Sequence, residues 1–296
     1  MNLEHTLKDI IESELPGCRF MEPMSRHTSF RIGGPAEVFI SPSGEEELAA
    51  VLRVLRTYHV PWRILGNGSN LLVSDSGCEG AVIAMEGICH MEACGRFLRV
   101  GGGQLLSRAA HLALKHSLTG MEFAAGIPGS AGGALVMNAG AYGFEMKDIL
   151  REARVMTPEG EVLVLDADRL DLGYRTSCIP SKGYIVLEAV FGLEPGDRAA
   201  IEARMKELSD RRREKQPLEY PSAGSTFKRP QGYFAGKLIE DAGLRGYQVG
   251  GAQVSEKHCG FVINSGSATA SDVMALCGHV RKKVMETSGV ELEMEV

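Results

Sequence analysis

The stretch Gly126–Gly143, GIPGSAGGALVMNAGAYG, constrains this chain more than any other. Six of its eighteen residues are Gly and four are Ala, with no Lys or Arg. Glycines at this density let a backbone approach another surface closely, or turn with φ > 0 at no steric cost. The segment also carries Ile127, Leu135, Val136 and Met137, so it is not the polar Gly/Ser chain of a flexible linker. Taken alone it leaves two readings open: a side-chain-free wall against a flat ligand, or tight helix–strand packing.

The 296 residues are enough for two or three domains with a sizeable core. A formal net charge of −6 argues against wholesale nucleic-acid binding, yet leaves room for a local basic pocket that holds an anionic substrate. No apolar run approaches the roughly 18 residues that span a membrane. The opening MNLEHTLKDIIESEL carries acids among its apolar residues, unlike a signal peptide. The seven Cys are scattered without a CxxC, which reads as reduced thiols of a cytoplasmic protein. The eight His form no HxH or HExxH pair, so no metal site is expected.

Hydrophobic periodicity predicts an α+β fold. A short amphipathic helix over 3–14 precedes a strand at Ala36–Ile40. Ser43 with Glu46 three residues on reads as a capping box, followed by the buried stripe Leu48, Val51, Leu52 and Leu55. A strand at Trp62–Leu65 empties into the Gly66–Asn70 loop, and Leu71–Val73 resumes a strand. From Ala81 short strands recur: Ala81–Met85, Phe97–Gly101, Arg151–Met156, Val162–Leu165 and Tyr184–Phe191, with one helix near Gln104–His116. That pattern suits a mainly antiparallel sheet. Asp197 opens a helix to about Lys215, and Gln216-Pro217-Leu218 marks a boundary. Beyond it follow a helix over Ala235–Ala242, strands near Gln248–Val254 and Gly260–Ile263, a helix capped by Ser271, and a last strand at Val290–Val296. The expected domains are 1–75, 76–215 and 216–296.

Four constellations carry polar chemistry. In Leu65-Gly66-Asn67-Gly68-Ser69-Asn70-Leu71 a strand runs into glycines, amides and a hydroxyl, whose N–H groups can form an anion-binding concavity. It is neither a Rossmann fingerprint nor a P-loop, because the third Gly and the Gly-Lys-Ser/Thr are missing; an ordinary tight turn remains the alternative. Tyr174-Arg175-Thr176-Ser177 offers a guanidinium that is either a surface charge or a carboxylate or phosphate clamp. Ser222–Lys228 lacks a GxSxG elbow, so it is either a plain turn or a place for close substrate approach. The terminal Glu291, Glu293 and Glu295 alternate with Leu292, Met294 and Val296: an acidic outer face, or one carboxylate reaching into a cleft.

Together and in order, these segments resemble UDP-N-acetylenolpyruvoylglucosamine reductase, the MurB family. The resemblance runs through His27–Gly34, Gly66–Leu72, the whole of Gly126–Gly143, Tyr174–Ser177, Gly224–Lys228, Gly250-Gly251-Ala252, Val262-Ile263-Asn264 and Leu292–Val296, essentially the full chain. It implies an FAD-binding fold of the vanillyl-alcohol-oxidase (PCMH) kind, with a two-part flavin domain and a C-terminal α+β substrate domain. Non-covalent FAD would be bound by Gly66, Asn67, Gly68, Ser69, Asn70, Ala125, Gly126, Ile127, Gly129, Ser130, Gly132, Gly133, Asn138 and Ala139. NADPH would be the hydride donor. Hydride would pass from flavin N5 to the enolpyruvyl C3 of UDP-N-acetylglucosamine-enolpyruvate, and a proton would reach C2, giving the peptidoglycan precursor UDP-N-acetylmuramate.

The same resemblance assigns catalysis to Arg175, Ser225 and Glu295, and substrate contacts to Tyr174, Lys228, Lys237, Gln253 and Asn264. Arg175, always cationic, suits the enolate-like charge that follows hydride addition. Ser225 matches the proton donor, a role a hydroxyl can fill only toward a strongly basic intermediate. Glu295 would act protonated or through a water, because a bare carboxylate would repel the developing charge. No insertion lies between Arg175 and Ser225, as in the shorter subclass that lacks an extra tyrosine loop. A monomer is expected, with no nucleic-acid or membrane partner.

Overall fold

A computed structural model describes residues 5–296. The chain packs as two compact units. One takes the residues up to Met21, Glu37–Asn67 and Glu79–Arg211; the other takes Glu22–Ala36, Gly68–Cys78 and Arg212–Val296.

In the first unit a helix runs over His5–Glu14; positions 3 and 4 of the expected helix lie outside the described residues. A four-stranded sheet has the order Arg19–Pro23, Pro35–Ile40, Cys78–Ala84, Trp62–Leu65. Its last two strands are parallel, with Ile64 opposite Ile83. The Ala81–Met85 run therefore joins this sheet rather than the antiparallel one. Helix Glu45–Thr57 buries Leu48, Val51, Leu52 and Leu55, as its spacing predicts. Its cap is shifted from the expected one. Gly44, in extended conformation, is the N-cap, so the third helical position falls on Glu47. That carboxylate, not Glu46, accepts the Ser43 N–H at 2.8 Å and the Ser43 hydroxyl at 2.6 Å, and the two bonds hold it below the usual carboxylate range.

The five-stranded sheet of the same unit has the order Val162–Asp166, Leu150–Met156, Ile185–Gly192, Phe97–Gly101, Met91–Cys94, antiparallel throughout. Ile185–Gly192 is central and buried at every position, which is why its sequence is continuously apolar instead of alternating. The exception, Glu188, is paired at 2.7 Å with His90 and at 2.9 Å with Arg99, as a buried carboxylate must be. Helix Glu45–Thr57 is tied to this sheet by a two-pronged Arg154–Glu45 pair, both contacts 2.9 Å. Helix Leu106–Lys115 and the short helix Ala131–Val136 complete the core, with Leu106, Ala109, Ala131 and Leu135 buried.

The second unit is assembled from three separated stretches of chain. Phe30 and Ile32 sit in one core with Leu238, Val262, Leu276, Val280 and Leu292. Residues 71–73 form no strand; Leu72 packs against that core instead. The sheet here has the order Ser222–Ser225, Phe261–Asn264, Ala252–Val254, Gln248–Val249. Helix Ala235–Asp241 and the long helix Ala270–Ser288 pack with it. Thr269, not Ser271, is the N-cap of the long helix, in a reciprocal box with Asp272. Ser271 is already inside the first turn, where its hydroxyl and N–H, with the Ala270 N–H, bind Asp75 at 2.6, 2.9 and 2.7 Å. Helix N–H groups left without intrahelical partners are thus met by a carboxylate from a remote segment. The expected strand at Val290–Val296 is reduced to one bridge, Met294 with Phe227. Its alternation survives: Leu292 is fully buried, Met294 and Val296 pack on the core, and Glu291 and Glu293 turn outward to Arg281 and Lys228.

Candidate active site

The glycines of Gly126–Gly143 divide by job. Gly132 donates its N–H to the Gly102 carbonyl at 2.8 Å, and a Cβ there would stand 2.9 Å from that same oxygen; it is a packing glycine. A Cβ on Gly140 would meet the Phe144 carbonyl at 2.4 Å, and Gly143 supplies a left-handed turn at φ +90°. Gly133 differs. It is exposed, and a Cβ there would meet only the Ser130 hydroxyl, at 3.3 Å. Val136, one turn on and on the same helix face, is also open to solvent. Helix Ala131–Val136 thus packs with Gly132 and presents a flat apolar strip with Gly133 and Val136. Ala125, Gly126, Ile127 and Gly129 are half-buried beside it in sequence, while Ala139 belongs to the core.

Ser130 ties this helix to the upstream loop. It is 1% exposed, its hydroxyl accepts the Gly133 N–H, and a Cβ on Gly66 would lie 2.4 Å from it. The Asn67 amide donates to the Pro128 carbonyl at 2.5 Å. Gly66 and Asn67 therefore lie against Pro128–Gly133, bringing together two stretches that the sequence separates by about sixty positions.

The Gly-rich segment also carries Arg175. Gly173 and Thr176 close a two-residue turn by an isolated bridge, and Arg175 within it has φ 55°. A left-handed conformation at a bulky non-glycine residue costs energy, and it persists only where its surroundings impose it. Here the imposing group is Asn138, which is 0% exposed and itself left-handed at φ 41°. Its Nδ2 donates to the Gly173 carbonyl at 2.9 Å and to Glu145 at 3.0 Å, and its Oδ1 accepts the Lys147 N–H at 2.9 Å. The Asn138 side chain is thus spent on internal bonds. Ser177 adds a bond to the Val136 carbonyl at 2.7 Å, and Arg175 reaches the Gly140 carbonyl at 3.4 Å. The guanidinium lies 5.2 Å from the centre of the exposed Tyr174 ring, a cation–π distance.

In the second unit Ser225 is aimed by a bulge. Ser222 pairs with Ile263 and Ser225 with Phe261, so one strand spends an extra residue between the two pairs. Gly224 absorbs the kink at φ +83°, with nothing near a hypothetical Cβ; its glycine is conformational. Bulges re-aim the side chains that follow them. Here Ser225 is exposed while Ala223 and Thr226 are buried at 2% and 1%. Glu295 lies alongside: its N–H donates to the Thr226 carbonyl at 2.9 Å, and its own carbonyl accepts from the Asn70 amide at 3.1 Å. Thr226 is a residue that sequence reading passed over. Its hydroxyl accepts the Val262 N–H at 3.0 Å, making it the post between Ser225 and Glu295.

The remaining expected residues are spread across the second unit. Gly68 is left-handed, and a Cβ would meet the His27 carbonyl at 2.0 Å; Ser69 is half-buried beside it. Lys228 is anchored at both ends, N–H to the Glu293 carbonyl at 2.8 Å and Nζ to its carboxylate at 2.5 Å. Lys237 pairs with Asp241 at 2.7 Å, which raises its pKa. Gln253 donates to the Gly246 carbonyl at 3.2 Å. Asn264 is buried and engaged with Phe30, Gly266 and Ala268.

The chain falls in a flavin-binding class of protein. The family model described as FAD binding domain matches residues 36–166. Berberine bridge enzyme has a similar fold, with TM-score 0.50 at 14% identity over 65% of this chain and 44% of that one. The family model for the UDP-N-acetylenolpyruvoylglucosamine reductase C-terminal domain matches residues 216–296. The reductase of that name from Lachnoclostridium phytofermentans is 54% identical over 98% of this chain and 94% of its own. The one from Caldanaerobacter subterraneus subsp. tengcongensis is 52% identical over 93% and 91%. The MurB crystal structure from Thermus caldophilus superposes with TM-score 0.80 at 36% identity, covering 92% of this chain and 96% of that one. The chain belongs to the UDP-N-acetylenolpyruvoylglucosamine reductase (MurB) family, and is an FAD-dependent oxidoreductase. Among the described residues no helix is long and apolar enough to cross a membrane.

Proposed function

We propose that the chain converts UDP-N-acetylglucosamine-enolpyruvate to UDP-N-acetylmuramate at the expense of NADPH. The observation that carries this reading is the turn Gly173–Thr176, where buried Asn138 sustains Arg175 in a left-handed conformation. Strain upheld by its surroundings is found at functional positions, and in a family of this activity the natural task for that cation is the charge of the reacting enolpyruvyl group.

The residues of the first unit fit the cofactor. The strip at Gly133 and Val136 bears no charge and, at Gly133, no side chain, which suits a flat, uncharged ring face. Bound FAD would supply the hydride carrier between NADPH and C3 of the substrate. Gly66–Asn70 would hold the pyrophosphate with neutral donors. Arg175 would stabilise the charge that builds on the substrate carboxylate. Ser225, projected by its bulge, would deliver the proton to C2, and Glu295 would act beside it, protonated or through a water. Lys228 and Lys237 are the cations suited to the diphosphate; each would have to share the carboxylate that now pairs with it. Tyr174, Gln253 and Asn264 complete the assigned substrate set, Asn264 through the loop it braces.

Half-reactions test the assignment. In Ser225→Ala, flavin reduction by NADPH should stay within about twofold of the parent. Flavin reoxidation by the enolpyruvyl substrate should slow by about 10²–10⁴-fold, the usual worth of a positioned proton donor. Equal loss in both halves would remove Ser225 from the protonation step.

A further inference from the structure

Asn70 ends the loop assigned to the pyrophosphate, yet its amide Nδ2 donates to the main-chain carbonyl of Glu295, 225 residues away, at 3.1 Å. The other side of the same residue is fixed by the Glu295 N–H on the Thr226 carbonyl at 2.9 Å. Thr226 is itself immobilised: its N–H is bonded to the Gly260 carbonyl at 2.9 Å and its hydroxyl accepts the Val262 N–H at 3.0 Å. Both main-chain polar groups of Glu295 are therefore tied down, one next to Ser225 and one by Asn70.

The second tie matters because the sheet does not hold this stretch. Within 290–296 only Met294 forms a bridge, so no ladder of hydrogen bonds sets the backbone angles of Glu295. The cost of ordering one residue's backbone is comparable to the net gain of a single hydrogen bond. Losing the Asn70 bond frees the Glu295 carbonyl from that tie, and catalytic groups lose rate steeply with displacement.

We propose that Asn70 is a positioning residue for Glu295, holding the carboxylate in register with Ser225. The inference rests on the reading of Glu295 as a catalytic group. It gives the glycine–asparagine loop a second task distinct from cofactor binding: the last residue of the loop sets the geometry of the proton-handling pair.

Four variants of the full chain, Asn70→Ala, Asn70→Asp, Glu295→Gln and Asn70→Ala/Glu295→Gln, test it by stopped-flow half-reactions and by fluorescence titration of FAD. With FAD held at saturation, Asn70→Ala should slow flavin reoxidation by the substrate about 10–100-fold more than it slows reduction by NADPH. Asn70→Asp, isosteric but without a donor at neutral pH, should repeat the reoxidation loss. The double variant should be no slower than the slower single variant, since both act through one group. If FAD-saturated Asn70→Ala instead reoxidises at the parental rate, the amide serves the cofactor alone and the proposal falls. It falls equally if the two substitutions multiply. Slow Glu295→Gln beside parental Asn70→Ala overturns the positioning role alone; parental Glu295→Gln overturns the role of Glu295, and this inference with it.

Discussion

Arg175 in the first unit and Glu295 in the second are both held through their neighbouring main chain, but the holders differ in burial. Asn138, under the Arg175 turn, is fully buried and makes three hydrogen bonds. Asn70, which holds Glu295, is half-buried and contributes one to it. In the first case the same bonds keep the buried amide satisfied and keep the arginine bent, so the geometry of the turn and stability cannot be separated. In the second the polar contact is near solvent, where water can replace it, so geometry can be lost while the fold stays. The first unit thus offers a rigidly held cation, and the second a carboxylate whose position is tunable.

The largest effect that could break this contrast is Asn138→Ala. It removes one hydrogen bond each from the Gly173 carbonyl, the Glu145 carboxylate and the Lys147 N–H, and each such bond is worth about 0.5–1.5 kcal/mol net. A loss of about 3 kcal/mol is expected in denaturant unfolding, together with the loss of substrate-driven reoxidation. A loss below about 1 kcal/mol would mean the turn is set by something other than Asn138.

A middle-sized test separates the two kinds of glycine. Gly132→Ala forces a Cβ to 2.9 Å from the Gly102 carbonyl, and overpacking of that sort costs about 1–3 kcal/mol. Gly133→Ala, exposed and crowded only by the Ser130 hydroxyl, should change stability by no more than about 1 kcal/mol, the scale of a Gly-to-Ala exchange in a helix. It should instead weaken FAD. Thermal unfolding and FAD titration on the pair decide: a Gly133→Ala protein with parental FAD affinity would take the ring off that face.

The smallest effect belongs to pH. The Ser271 hydroxyl and the Ala270 and Ser271 N–H groups hold the Asp75 carboxyl below the usual carboxylate range, and the N–H of Thr269 leads the causes that do the same for Asp272. A folded pKa below the unfolded one gives stability that is complete above the unfolded value, about 3.9 for Asp. That stability is lost as pH falls through the lower folded value. Melting temperature should therefore drop below about pH 4, and Asp75→Asn should flatten the drop modestly. An unchanged slope would mean the Asp75 cap adds nothing beyond the Thr269–Asp272 box.

Much of the fold was legible because its signals are local. The stripe Leu48, Val51, Leu52, Leu55 and the alternation of Leu292, Met294 and Val296 report burial through period alone. Caps were less legible. Ser43 and Ser271 are both good capping residues, but Gly44 and Thr269 took the positions, because the helix start is chosen by the chain path that precedes it. The strand expected at 71–73 failed for a similar reason: Leu72 found a core instead of a sheet partner. Of the site, the motifs were legible as residues. Their connections, such as Asn138 under Arg175 and Thr226 between Ser225 and Glu295, were not.

By itself the sequence determined the family, the glycine-dense segment and the cast of polar residues, since these depend on residue identity and order. Only the tertiary structure decided that Gly132 packs while Gly133 faces out, and that Arg175 is bent by a buried amide. It alone put Phe30, Leu72 and Asp75 with the C-terminal residues, and Asn70 against Glu295. Each of those facts is a contact between stretches distant along the chain. Local pattern records which face of an element is apolar, not which remote group will come to meet it.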